Sequence, residues 1–318
     1  MRQRGRALLL APAALVALLG AACTDGASRT GPLPPPHDAG APTSAKAATW
    51  KPPEGFTKLR LATTPYLEPE QLLRSHEPLA ALLSESLGVP VELVATRSYD
   101  DVGGLLREGK ADLGSFSPLA YVRAQRRDEG LTPLVSFIAD GSATSAGYIV
   151  VRAEGGLTSL EELRGKRFAW VDPSSTSGYL YPRALLLQRG LDPDTFFGET
   201  AFLGNHEAAL LSVHRGEFDA TATWQGALPA LQRSRGIDPL EFRIVAKTLR
   251  APKDVFCARP GLPPEVAERV REVLLSLSVR DGRGRSVLGP LHVNGFIPAD
   301  AALYDEVRRV DEALVARP

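Results

Sequence analysis

Asp172-Pro173-Ser174-Ser175-Thr176-Ser177-Gly178-Tyr179 is the stretch around which the chain is organised. An apolar run, Phe168-Ala169-Trp170-Val171, leads into it and predicts a short strand. An amphipathic segment, Leu180 to Leu187, leads out and predicts a helix that stops at Gly190. Three consecutive hydroxyl residues and a glycine therefore sit on a strand-to-helix turn. Free backbone N–H groups cluster at a helix start, and the helix dipole adds about half a positive charge there. Hydroxyls and N–H groups converging on one point make an anion site, and Gly178 lets backbone and ligand approach closely. Ser and Thr are also ordinary N-caps, for which one hydroxyl is enough. Three in a row exceed that need.

Outward from this turn, strands and helices alternate. Strands are expected at Leu59–Thr63, Val91–Ala95, Leu113–Phe116, Leu134–Ile138, Gly147–Val151, Thr200–Leu203, Phe218–Thr223, Phe242–Ala246 and Val255–Ala258. Helices are expected over Glu70–Leu87, Tyr99–Arg107, Ala208–Arg215, Gln225–Arg233, Pro264–Leu277 and Ala301–Leu314. Such alternation predicts α/β layers with mostly parallel sheets, whose ligands sit beyond the C-terminal strand ends. Ser117-Pro118-Leu119-Ala120-Tyr121 repeats the central layout, with Ser as N-cap and Pro at the first helical position. Two such helix starts facing each other would hold one anion between them.

The 318 residues suggest two lobes. Lys+Arg and Asp+Glu both number 37, so the chain has no net charge, and no basic run marks a nucleic-acid patch. Arg2, Arg4 and Arg6 precede an apolar run from Ala7 to Leu19, and Gly20-Ala21-Ala22 precede Cys23. This is the order of a secretory signal, too short for a spanning helix. A cysteine directly after the small residues resembles the bacterial lipoprotein signal, in which Cys23 is lipidated and becomes the N-terminus; ordinary signal cleavage is the other reading. Residues 23–56, rich in Pro and Ala, read as a tether. Cys257, between Val255-Phe256 and Ala258, reads as a buried strand residue.

Enzyme signatures are missing: there is no Walker A motif, no GxGxxG after a strand, no HExxH and no GxSxG elbow. The five histidines lack metal-ligand spacing, and no cofactor is expected.

The globular part, from about Leu59 to Leu314, resembles the substrate-binding proteins of phosphate/phosphite/phosphonate ABC transporters. The central stretch, Ser117–Tyr121, Asp140-Gly141-Ser142 with Gly147-Tyr148, Asn205-His206-Glu207 with Ala209-Leu210, and Gly216–Ala220 carry the likeness. The resemblance implies an α/β, two-lobed periplasmic-binding-protein-like fold of type II, with a ligand cleft between lobes joined by two crossover strands. The lobes would be 57–146 plus 251–318 and 147–250, after a signal peptide at 1–22. It implies that Ser175, Thr176 and Ser177 hydrogen-bond the phosphorus oxygens, and that Tyr99, Tyr148 and His206 line the cleft beside Ser117. Asp254 would accept a hydrogen bond from a protonated ligand oxygen and reject a fully deprotonated one. The implied partners are an ABC permease and ATPase, with the binding protein a monomer held to the periplasmic face of a membrane by the Cys23 lipid. The residue types alone also suit packed tyrosine rings, a helix-cap histidine, and an Asp254 paired with Lys253 or Lys247.

One departure bears on the ligand. Family members that bind aminoalkylphosphonates place a glutamate in the cleft, and the register counted from Asp219 puts Gly226 there. An ammonium without a carboxylate is costly to bury. The expected ligand is therefore phosphite, phosphate or a small alkylphosphonate. Relatives of this fold also serve as sensors or bind sulfonates and pyrimidine precursors, and an enzyme of unknown type is a third reading.

Overall fold

The computed structural model describes residues 50–127 and 130–316; the signal segment and Cys23 lie outside the described residues, as does the tether up to residue 49. In lobe 1, β1 (Leu59–Thr63), β2 (Val91–Val94), β3 (Leu113–Phe116), β4 (Thr132–Ile138), β10 (Val255–Ala258) and β11 (Gly295–Pro298) form one sheet, ordered β11-β4-β10-β3-β1-β2. In lobe 2, β5 (Thr144–Arg152), β6 (Arg167–Trp170), β7 (Glu199–Phe202), β8 (Ala220–Trp224) and β9 (Phe242–Pro252) form the other, ordered β7-β6-β8-β5-β9. The chain leaves lobe 1 after β4 and returns before β10. β5 and β9 carry both crossings as one antiparallel ladder, from Thr144 opposite Pro252 to Arg152 opposite Phe242.

Both sheets are mixed, which corrects the expectation of mostly parallel pairing. β1 pairs in parallel with β2 and β3, and β6 with β7 and β8. The returning strands β10 and β9 pair antiparallel with their neighbours, as does β11 with β4. A chain that crosses between lobes twice must bring strands back in the reverse direction, and composition does not register direction.

The helices are α1 (Pro69–Leu87), α2 (Asp101–Arg107), α3 (Pro118–Arg127), α4 (Tyr181–Gln188), α5 (His206–His214), α6 (Ala227–Arg235), α7 (Pro264–Leu275), α8 (Gly282–Leu288) and α9 (Asp305–Val315). α1 buries Leu79, Leu83 and Leu87 on one face against the lobe 1 sheet and stops at Gly88, whose φ of 65° suits glycine. Each fully buried leucine contributes about 1.5–3 kcal/mol. Cys257 is buried in β10, as its neighbours implied.

α8 and β11 were not legible in the sequence. Asp281-Gly282-Arg283-Gly284 reads as a loop, yet the Asp281 carboxylate caps the Gly284 N–H at 2.6 Å and starts the helix. β9 runs eleven residues rather than ending at Ala246, because Lys247, Leu249 and Arg250 lie on an exposed edge strand.

The lobes repeat one arrangement. Arg60 donates its backbone N–H and Nε to Asp112 at 2.8 and 2.9 Å, tying β1 to the start of β3. Arg167 does the same to Asp219 at 2.8 and 3.2 Å, tying β6 to β8. Arg60 and Arg167, Glu92 and Glu199, Tyr99 and His206, Gly109 and Gly216, and Asp112 and Asp219 each lie 107 positions apart. Tyr99 and His206 are therefore equivalent positions, one from each lobe.

Candidate functional site

Between the lobes lies a cavity of about 120 Å³. That is well above the roughly 10–15 Å³ needed to hold a single water, and leaves room for a small solute. Seven of the eight site residues expected from the sequence line it: Tyr99, Ser117, Ser175, Thr176, Ser177, His206 and Asp254.

The central turn delivers its hydroxyls as follows. β6 ends at Trp170, and the Asp172 carboxylate accepts the Ser174 N–H at 2.7 Å, bending the chain. Ser175 is the N-cap: its hydroxyl accepts the Gly178 N–H at 3.0 Å. Thr176–Leu180 then form a single π-helical turn before α4 begins. Such wide turns recur at functional sites. The N–H groups of Thr176 and Ser177, and the Ser177 hydroxyl, take no protein partner among the described residues, so they remain as donors to an anion.

Two expectations are corrected here. Gly178 makes room for Val171 rather than for a ligand: a Cβ on it would lie 2.5 Å from two Val171 atoms. The α3 start is not a free anion site either. The Ala120 N–H goes to the Ser117 hydroxyl at 3.2 Å, and the Leu119 N–H to Thr176 Oγ1 at 2.8 Å. Thr176 of lobe 2 thus caps a helix of lobe 1. The Ser117 hydroxyl in turn donates to the Ser174 carbonyl at 2.9 Å. Arg123 donates to the Pro173 carbonyl at 2.8 Å while paired with the buried Asp311. Lobe 1 therefore clamps the turn.

His206 opens α5, whose N-cap Asn205 accepts the Ala208 N–H at 2.7 Å. The ring is buried, and burial lowers its pKa to about 3, so it is neutral. Its Nδ1 pairs with the Thr223 hydroxyl at 3.0 Å, leaving Nε2 as the free ring nitrogen. The Tyr99 hydroxyl is buried without a partner, and burial pushes the phenol well above its usual range, with nearby Asp172 and Asp254 adding to it. Asp254 sits in the short return from β9 to β10. Burial raises its carboxyl to about 7, although Lys253 opposes this. Among the described residues neither carboxyl oxygen has a hydrogen-bond donor or ion pair. Asp254 is thus not paired with Lys253 or Lys247, the latter lying over the Tyr148 ring at 5.5 Å.

Tyr148 is the residue that the structure does not bring to the cavity. Strand alternation sends Gly147 and its cross-strand partner Trp224 toward it, and Tyr148 with Thr223 to the opposite face. There Tyr148 packs beside Leu210 and Leu228. The cavity also gains residues not expected from the sequence, among them Thr64, Tyr66, Tyr181, Trp224, Lys253 and His292. Thr64-Pro65-Tyr66 directly follows β1, and position beyond a strand end was the signal that pointed to them. His292 had none, since its loop precedes the unforeseen β11. Gly226 does not line the cavity; it N-caps α6 and its open side is filled by the Trp224 ring.

A cavity between two α/β lobes, lined by an anion-donor turn, matches what a family model finds. Residues 61–304 fit the family described as ABC transporter, phosphonate, periplasmic substrate-binding protein. The chain belongs to this family. It is 30% identical over 97% of its length to the phosphate-import protein PhnD of Mycolicibacterium smegmatis, covering 91% of that protein. It is 24% identical over 73% of its length to a probable ABC transporter phosphite-binding protein of Prochlorococcus marinus, covering 81% of it. Its fold is similar to that of Prochlorococcus marinus PhnD1 solved with methylphosphonate, with a TM-score of 0.75 at 20% identity, over 82% of this chain and 99% of that one. A phosphonate-transporter binding component from Pseudomonas aeruginosa gives the same TM-score and identity, over 80% and 85%. The two-lobed type II architecture implied by the resemblance is thus the observed one, and the family's place is the periplasm.

Proposed function

We propose that the protein captures a small phosphorus oxyanion, phosphite, phosphate or a small alkylphosphonate, and hands it to an ABC permease and its ATPase. The observation that carries this reading is the convergence of Thr176, Ser177, His206, Tyr99 and Asp254 on one cavity between the lobes. Ser177 and the free N–H groups are donors to the anion, and neutral His206 adds a further polar contact. A carboxyl that titrates near 7 shares one proton with the anion: it donates when protonated and accepts from a P–OH when ionised. The same fit is what the phosphate, phosphite and methylphosphonate relatives lead one to expect. Capture requires no covalent step: the Ser175 oxygen accepts the Gly178 N–H and His206 Nδ1 pairs with Thr223, so neither of these cleft residues is set against the other as nucleophile and base.

The moving bodies would be 57–146 with 251–318 and 147–250, turning about the β5–β9 crossings. The Asn205 amide donates to Glu68 across the cleft at 3.0 Å, and this contact supports a closed state. The protein acts as a monomer, held at the membrane by lipid on Cys23. Titration calorimetry with phosphite, phosphate, methylphosphonate and sulfate tests the reading. Heat from at least one phosphorus anion, and none from sulfate, is expected; silence from all of the phosphorus anions would overturn it.

A further inference from the structure

The cavity does not end at the oxyanion. Its lining also includes Phe137, Trp224, Leu291 and Val293, apolar side chains that suit the carbon skeleton of a substituent. Lys253 and His292 also line the wall. Lys253 is half-buried, and its ammonium forms neither a hydrogen bond nor an ion pair among the described residues. Burial lowers its pKa; Asp140 and Asp254 oppose this without forming an ion pair, and Arg250 adds to it. His292 comes from the loop before β11. Burial lowers the pKa of its ring, Arg233 from α6 of the other lobe lowers it further and Asp140 opposes both; Arg233 has no ion pair among the described residues. A half-buried, unpaired ammonium is costly unless something neutralises it. Asp254 is the one carboxylate among the described wall residues, and desolvation raises it to about 7, which suits it to share a proton with the oxyanion. No acidic side chain in the wall is left over for a ligand ammonium.

We infer that Lys253, with His292 beside it, forms a second subsite that takes a carboxylate on the substituent, so that the favoured ligand class is a carboxyalkylphosphonate. This rests on the phosphorus-oxyanion reading above and extends it. The phosphonate group occupies the Ser-Thr-Ser end, the short carbon chain lies against Trp224 and Phe137, and the carboxylate meets the Lys253 ammonium. Charge-assisted contacts of this kind change affinity by roughly tenfold or more. The same arrangement disfavours an aminoalkylphosphonate, whose ammonium would approach Lys253 as a like charge.

Titration of the purified protein with phosphonoacetate, ethylphosphonate, methylphosphonate and 2-aminoethylphosphonate tests it. Phosphonoacetate is expected to bind about tenfold or more tightly than ethylphosphonate, and 2-aminoethylphosphonate the weakest of the four. Lys253→Met should erase that ratio and Lys253→Arg should retain it, with thermal melts reporting that both variants are folded. Ethylphosphonate binding as tightly as phosphonoacetate, or a ratio untouched in Lys253→Met, overturns the subsite while leaving oxyanion capture intact. No binding of any of the four, or of phosphite and phosphate, overturns both.

Discussion

Asp254→Asn should make the ligand-free protein more stable at high pH and leave it little changed at low pH. The Asp254 side chain is partly buried and has no donor among the described residues, and desolvation raises its carboxyl to about 7 from a reference value of 3.8. The folded state therefore holds a proton between about pH 4 and 7 that the unfolded state has released. Stability from this group is full below the unfolded pKa and is lost as pH rises through the folded one. Three units at 1.36 kcal/mol each give about 4 kcal/mol in all, of which about 3 kcal/mol falls between pH 5 and 8.5. The partial exposure of Asp254 and the charge of Lys253 hold the measured loss at or below that figure. Urea unfolding of both proteins at pH 5, 7 and 8.5 reads it directly. The difference between Asp254→Asn and the parent should grow by up to about 3 kcal/mol from about pH 5 to pH 8.5, because asparagine fills the site without a charge. A difference that stays constant across the range would refute the claim that an unpaired, desolvated carboxylate sits there. His206 acts in the opposite direction: its depressed pKa of about 3 removes stability as pH falls below about 6.5, in both proteins alike.

Gly178→Ala should destabilise by about 1–3 kcal/mol and abolish anion binding, since the added carbon overlaps Val171 and forces the turn apart; melts and titration both read this. Thr176→Val should cost about 1–3 kcal/mol by orphaning the Leu119 N–H, and small-angle scattering should report a more open ligand-free protein. Ser177→Ala should leave the melting temperature nearly unchanged, because its hydroxyl bonds nothing among the described residues, while weakening oxyanion binding roughly tenfold by calorimetry.

Much of this was legible in the sequence because it depends on local patterns. Strand, hydroxyl run and helix stand in unbroken order from Phe168 to Leu187, and the turn they predict is there. His206 was reachable because Asn205 marks a helix start, whereas Asp254 came only from the family resemblance, since the strand before it was read as ending at Ala246. Pairing direction was not legible, since strand composition is the same whichever way a neighbour runs. Tyr148 shows a subtler limit: one step along β5 turns a side chain to the other face, and neighbouring motif residues do not reveal which face meets the cleft. Gly178 and Thr176 were recognised as special, but their partners, Val171 and the Leu119 N–H, are set by tertiary contact. His292 and α8 lay in a stretch whose glycines and arginines mimic a loop.

The measurement that most directly tests a phosphorus site between the lobes is a crystal structure of the protein grown with phosphite or methylphosphonate. The expected result is one phosphorus centre whose oxygens lie within hydrogen-bond reach of the Ser177 hydroxyl, the Thr176 and Ser177 N–H groups and His206 together, with Asp254 on a remaining oxygen. An empty cavity at saturating ligand, or an anion bound only outside it, would contradict the assignment.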